Sequence, residues 1–174
     1  MRRALTFVAG AVAFGAILAL GIAVAGLAST SSLGGLAQTT NETTETTEKP
    51  TTTRFRAVLT TRAEVPRPTG TKAGAAGTFV VPLTQSGGSY SISWTLTFRK
   101  LTGRAAAAHI HRGKPGTAGP VLVGLCGPCR SGQKGKAKIS KRVAAAVKAG
   151  RTYVNVHTAR NQAGEIRGQI RKVG

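Results

Sequence analysis

All three histidines of the chain fall in two short stretches, Ala108-His109-Ile110-His111 and Val154-Asn155-Val156-His157-Thr158. In an extended strand His109 and His111 point one way and Ile110 the other. Tyr153, Asn155 and His157 likewise share a face, opposite Val154 and Val156. If Ile110, Val154 and Val156 enter a core, the three imidazoles lie together on the outer surface. Strands pair about 4.8 Å apart, so neighbouring strands would bring the rings into one cluster. Neutral imidazoles in such a cluster are ligands for copper or zinc. The plainer use of the same side chains is hydrogen bonding to loop backbone.

Cys126-Gly127-Pro128-Cys129 holds the only two cysteines. Three chemistries fit the spacing: a local disulfide stapling a turn, half of a metal site, or a dithiol redox pair. The redox pair needs a helix N-terminus to lower a thiol pKa, and the pair follows a strand and precedes a Gly/Lys-rich loop instead. Glu165 and Arg167 stand two residues apart on one strand parity, as an acid beside a cationic helper would. Glu64 is the only other carboxylate after position 53, so no carboxylate pair for acid–base work is assured. An ion pair or a hydrogen bond to a loop is the expected role.

The elements that would position these groups are short strands. Tyr90 to Phe98 alternates five apolar residues with four hydroxyls, a half-buried antiparallel strand. Weaker strands are predicted at 55–60, 78–83, 107–111, 121–125, 136–140, 153–158 and 165–173, with glycine-rich turns between them. Ser140 is placed to cap a helix over 141–148, and Gly150 to end it. The expectation is an all-β antiparallel domain over 54–174, either an immunoglobulin-like sandwich or a small Greek-key barrel with one short helix.

Two different segments precede that domain. Met1-Arg2-Arg3 followed by uncharged Ala4 to Ala28 reads as an export signal or an N-terminal apolar membrane anchor within 1–37, with small residues permitting cleavage after Ala28 or Ala37. Residues 38–53 are Thr/Glu-rich with no large apolar side chain and read as a disordered linker carrying an Asn41-Glu42-Thr43 glycosylation pattern. Either end of the export reading places the domain outside the cell or on its surface.

The net charge is +20, and there is no Asp. Basic and acidic residues cancel up to position 53, so the domain carries the whole excess. Such a field attracts anionic cell-envelope polymers and lipid headgroups in a salt-sensitive way. Phe55, Tyr90, Trp94 and Phe98 all fall on core parity, which leaves no aromatic row for stacking bases, so specific nucleic-acid recognition is not expected.

Ala-His-Ile-His-Arg-Gly (108–113), Gly119-Pro120-Val121, Tyr-Val-Asn-Val-His-Thr (153–158) and Gly-Glu-Ile-Arg-Gly-Gln (164–169) resemble the CHRD domain, in order. Asn155, Thr158, Glu165 and Arg167 are the polar members of the last two motifs. Phe55, Ala57, Leu59 and Glu64-Val65-Pro66 resemble its opening strand and turn. Gln162 departs from the pattern, where a proline is usual, as does Arg67-Pro68. The resemblance implies a β-sandwich in an extracellular setting, and the expectation for this chain is a binding or structural module rather than an enzyme. His109-Ile110-His111 before a glycine-rich loop also resembles the copper strand of copper–zinc superoxide dismutases, with His157 like a further ligand. The zinc half of those enzymes needs an Asp and a bridging fourth His, and this chain has neither. A mononuclear copper site at His109, His111 and His157 is what that resemblance leaves open.

Overall fold

The computed structural model describes residues 49–174. The segment 1–37 and positions 38–48 of the polar stretch lie outside the described residues, and with them the export signal or anchor and most of the linker. Nine strands and one α-helix follow: β1 (Thr51–Thr60), β2 (Ala76–Ser86), β3 (Ser89–Arg99), β4 (Ala105–Arg112), β5 (Val121–Cys126), β6 (Gln133–Ile139), α1 (Lys141–Lys148), β7 (Thr152–Thr158), β8 (Ile166–Gln169) and β9 (Arg171–Lys172). A 3-10 turn, Thr61–Ala63, follows β1.

The strands form one sheet in the order β5-β4-β7-β8-β1-β2-β3-β6, with β9 beside β1. All the pairings are antiparallel. Thr60 pairs with Arg167, joining the half that holds the histidines to the half that holds β3. The hydrogen-bonded path is therefore continuous, and of the two expected architectures it is the small, nearly closed barrel. The link from β5 to β6 carries the chain from one end of that path to the other, and Cys129 N–H donates to Ala105 O within it.

Alternation fills the interior. Phe55, Ala57 and Leu59 of β1, Phe79, Val81 and Leu83 of β2, and Ile92, Trp94 and Leu96 of β3 are all buried. Full burial of each large member stabilises the fold by about 1.5–3 kcal/mol. Trp94 packs against Phe79 with ring centroids 6.3 Å apart. Across from Trp94 stands Gly135, where an added Cβ would run into the indole. Small size is what that position requires.

Two boundaries differ from expectation. β1 begins at Thr51, so Thr51–Thr53 are strand and not linker; β2 is long enough to pair them with Gln85, Thr84 and Leu83. The last expected strand is broken in two, because Ile170 turns inward, fully buried, and donates to Thr152 O. The helix sits as anticipated, with Val143 N–H donating to Ser140 Oγ and Gly150 at φ +64°.

Candidate metal centre

Strand β4 lies between β5 and β7, and Ile110, Val154 and Val156 are fully buried in the core. The histidines accordingly occupy the opposite face. Pairing places His111 across from Tyr153, His109 across from Asn155, and Ala107 across from His157. Strand β8 extends these rows, with Gln169 beside Tyr153 and Arg167 beside Asn155. One ligand atom from each of His109, His111 and His157 can be chosen so that all lie within 4.8 Å of one another.

Backbone carbonyls hold two of the rings. His111 Nδ1 is 2.9 Å from Gly119 O, and His157 Nδ1 is 2.8 Å from Gln162 O. A carbonyl only accepts, so both Nδ1 atoms carry a proton, and in the neutral form of each ring Nε2 keeps the lone pair. His157 Nε2 then accepts from His109 Nδ1 at 3.1 Å. His111 Nε2 is buried and meets no partner in hydrogen-bonding geometry, with the Asn155 side chain close enough to oppose the lowering of the ring's pKa. The plainer expectation, rings bonded to loop backbone, is thus met at Nδ1 of His111 and His157, while the Nε2 atoms of both face the cluster. A ring fixed through one nitrogen by a carbonyl is the arrangement that orients a metal-binding histidine.

Burial lowers the pKa of His109, and the neighbouring His157 and His111 lower it further. Burial also lowers that of His111, against the opposing hydrogen bond to Gly119 O. Both rings are therefore neutral at pH 7, the form that binds a metal. Among the described residues no carboxylate joins this donor set.

The outer face is not open, contrary to a simple reading of strand parity. Loop 113–119 folds over it, leaving Tyr153, Asn155 and Arg167 no more than 3% exposed. Arg167 Nη2 donates to Lys114 O at 3.0 Å and Thr117 O at 2.8 Å. Its guanidinium carbon stands 3.4 Å from the Tyr153 ring centroid, and Tyr153 stacks on His111 at 5.0 Å and 10°. Tyr153 Oη accepts from Gly119 N–H at 3.2 Å. Gln169 Nε2 ties the same loop through Gly113 O at 2.9 Å. Arg167 thereby clamps the loop whose Gly119 carbonyl aims His111.

Glu165 and Arg167 have separate partners and separate roles. Glu165 is fully buried and accepts from Thr102 N–H at 2.7 Å, Thr102 Oγ1, Thr158 Oγ1 at 2.7 Å and Asn161 Nδ2 at 3.3 Å. Burial would raise its pKa, but these donors outweigh burial and lower it. It is a structural carboxylate joining the β3–β4 and β7–β8 loops. Asn155 Nδ2 donates to Ala163 O at 3.3 Å in the second of these. Glu64, 2% exposed, is the contrasting case: burial raises its pKa despite Val65 N–H, Arg167 and Asn155.

Cys126 and Cys129 form a disulfide at the β5–β6 crossing. Neither cysteine begins a helix or lies in the histidine cluster, so the metal and dithiol readings of the pair are set aside. Thr102 and Asn161 are the site residues that lie outside the motifs; Glu64, Tyr153 and Gln169 lie inside them but had no role assigned, and Tyr153 carried a further signal in its parity with His157. Asn161 was legible as a turn residue; its bonds to Thr69 and Glu165 depend on the loops meeting.

No curated protein and no solved structure matches the chain. The family model for the CHRD domain matches residues 55–170, which spans the three histidines, the disulfide and both buried carboxylates. The chain belongs to the CHRD domain family.

Proposed function

We propose that this CHRD domain is an exported or surface-tethered binding module that holds one copper ion at His109, His111 and His157. The observation that carries the reading is the buried, unpartnered Nε2 of His111 within a three-imidazole group whose ligand atoms lie within 4.8 Å. Nitrogen ligands about 2.0–2.1 Å from a metal sit about 3–4 Å from one another, so closing the cluster takes about 1 Å of side-chain movement. His109 would shift its proton to Nε2 and offer Nδ1.

Copper is favoured over a harder ion on three grounds. The donors are all imidazole, and Cu(II) stands highest among the divalent first-row metals for such ligands. Among the described residues no carboxylate joins the donor set to balance a dication. Arg167 is near enough to lower the His111 pKa, and that positive field favours the lower charge of Cu(I). A single ion held by three neutral rings also leaves a coordination position for an external ligand. Zinc is the competing metal, since imidazole suits it too.

The test is titration of the full chain with Cu(I) and Cu(II) under chelator competition, beside His111→Ala and His157→Ala. One equivalent of copper, displaced at least tenfold more readily from either variant, supports the reading. Equal affinity in all three proteins, or tighter binding of zinc than of copper, overturns it.

A further inference from the structure

The barrel carries a second feature on the side formed by β1, β2, β3 and β6. Outward-facing residues there line up in rows across the strands: Arg56, Val80, Thr95 and Lys134; Arg54, Pro82, Ser93 and Lys136; Thr52, Thr84, Ser91 and Lys138. Arg171 of β9 pairs beside Arg56. Lys134, Lys136, Lys138, Arg54, Arg56 and Arg171 are all exposed. The face is thus floored by hydroxyls and flanked by cations on both sides, about 14 Å apart across three strand spacings. Along β6 the lysines recur every second residue, about 6.8 Å.

Among the described residues no exposed acidic side chain accompanies these charges. Among the described residues only Glu64 and Glu165 have acidic side chains, and both are buried in the loop network around the histidines. Lysines on an edge strand do deter edge-to-edge pairing. That accounts for β6 but not for Arg54 and Arg56, which lie on β1, an interior strand of the path.

We infer that this face binds a linear cell-envelope polymer bearing one phosphodiester per repeat, laid along β6 with its anions on Lys134, Lys136 and Lys138. Lysine binds phosphate as a point charge, without the fixed fork by which arginine takes phosphate and carboxylate alike. The lysine spacing is on the scale of one repeat of an extended polyol-phosphate backbone. Ser91, Ser93 and Thr95 stand beside the lysines and offer hydrogen bonds to polyol or phosphate oxygens. No aromatic side chain lies on these rows, so bases would find nothing to stack on. Val58, Val80 and Val173 are the large apolar side chains most exposed there, at 60%, 40% and 40%, dispersed single residues and too little for insertion into lipid.

The experiment measures binding of a glycerol-phosphate oligomer of about ten repeats to the full chain across a salt series. The expected result is that the triple change Lys134→Gln, Lys136→Gln, Lys138→Gln weakens binding at least tenfold and lowers the log–log salt slope by about 2, as loss of three phosphate contacts requires. The matched triple Arg62→Gln, Lys72→Gln, Arg104→Gln, which removes equal charge elsewhere, should cost less than about threefold. A Lys→Arg triple at the β6 positions should keep most of the binding and checks that the strand still forms. Equal losses in the two Gln triples, or no binding by the unaltered chain, would overturn the proposal. So would tighter binding of single-stranded DNA of equal charge, or of phosphatidylglycerol vesicles, than of the oligomer.

Discussion

His111 Nδ1 donates to the backbone carbonyl of Gly119, eight positions further along the chain, at 2.9 Å. That bond connects a strand residue to the loop that covers it. A Cβ at Gly119 would strike the Arg112 carbonyl, so Gly119→Ala must displace the loop. The variant should bind copper about 10–100-fold more weakly, the usual scale for losing an orienting partner. Chelator competition reads this directly, with circular dichroism confirming that the barrel persists.

Glu165→Gln should destabilise the domain by about 1.5–3 kcal/mol, since charge-assisted hydrogen bonds are replaced by weaker ones. The pH dependence follows from direction. Glu165 has a folded pKa below its ordinary 4.5. Its contribution is complete above pH 4.5 and is lost as pH falls through the folded value. Chemical denaturation at several pH values should show the wild type weakening below pH 4.5, with a shallower fall in Glu165→Gln.

Glu64→Gln should behave oppositely. The folded pKa of Glu64 is raised by burial, so ionisation there opposes folding above that value. The amide variant should match or exceed wild-type stability at pH 7 and lose that advantage in acid. A loss of several kcal/mol at pH 7 would mean that the Glu64 charge stabilises the fold.

Gly135→Ala tests the packing of Trp94. The added methyl meets the indole ring, and overpacking a filled core costs about 1–3 kcal/mol. Tryptophan emission in a denaturation series reports both the shifted midpoint and the altered environment, since Trp94 is the only tryptophan.

Reduction of Cys126–Cys129 should lower stability by only about 2 kcal/mol, because the closed loop is very short. Copper stoichiometry should not change. A lost copper site on reduction would tie the cysteines to the centre.

The parts of this architecture written in periodicity were legible. Tyr90 to Phe98 alternates cleanly because one face of β3 meets the core, and the same period set His109, His111 and His157 on one side of their strands. Two things were not. Thr51–Thr53 look like linker by composition, and they became strand because β2 offers partners as far as Gln85. The cover over the outer face was also hidden, since loop 113–119 has no repeat and is held by backbone carbonyls that any sequence possesses. Hence Arg167 and Glu165, which look like a pair by spacing, were drawn to separate loops by the contacts each could complete.

X-ray absorption of the copper-loaded full chain measures the ligand shell itself. The centre described here predicts three imidazole nitrogens at about 2.0–2.1 Å, no sulfur, and one imidazole fewer in His109→Ala. A shell dominated by oxygen or containing sulfur, or one that His109→Ala leaves unchanged, would contradict it.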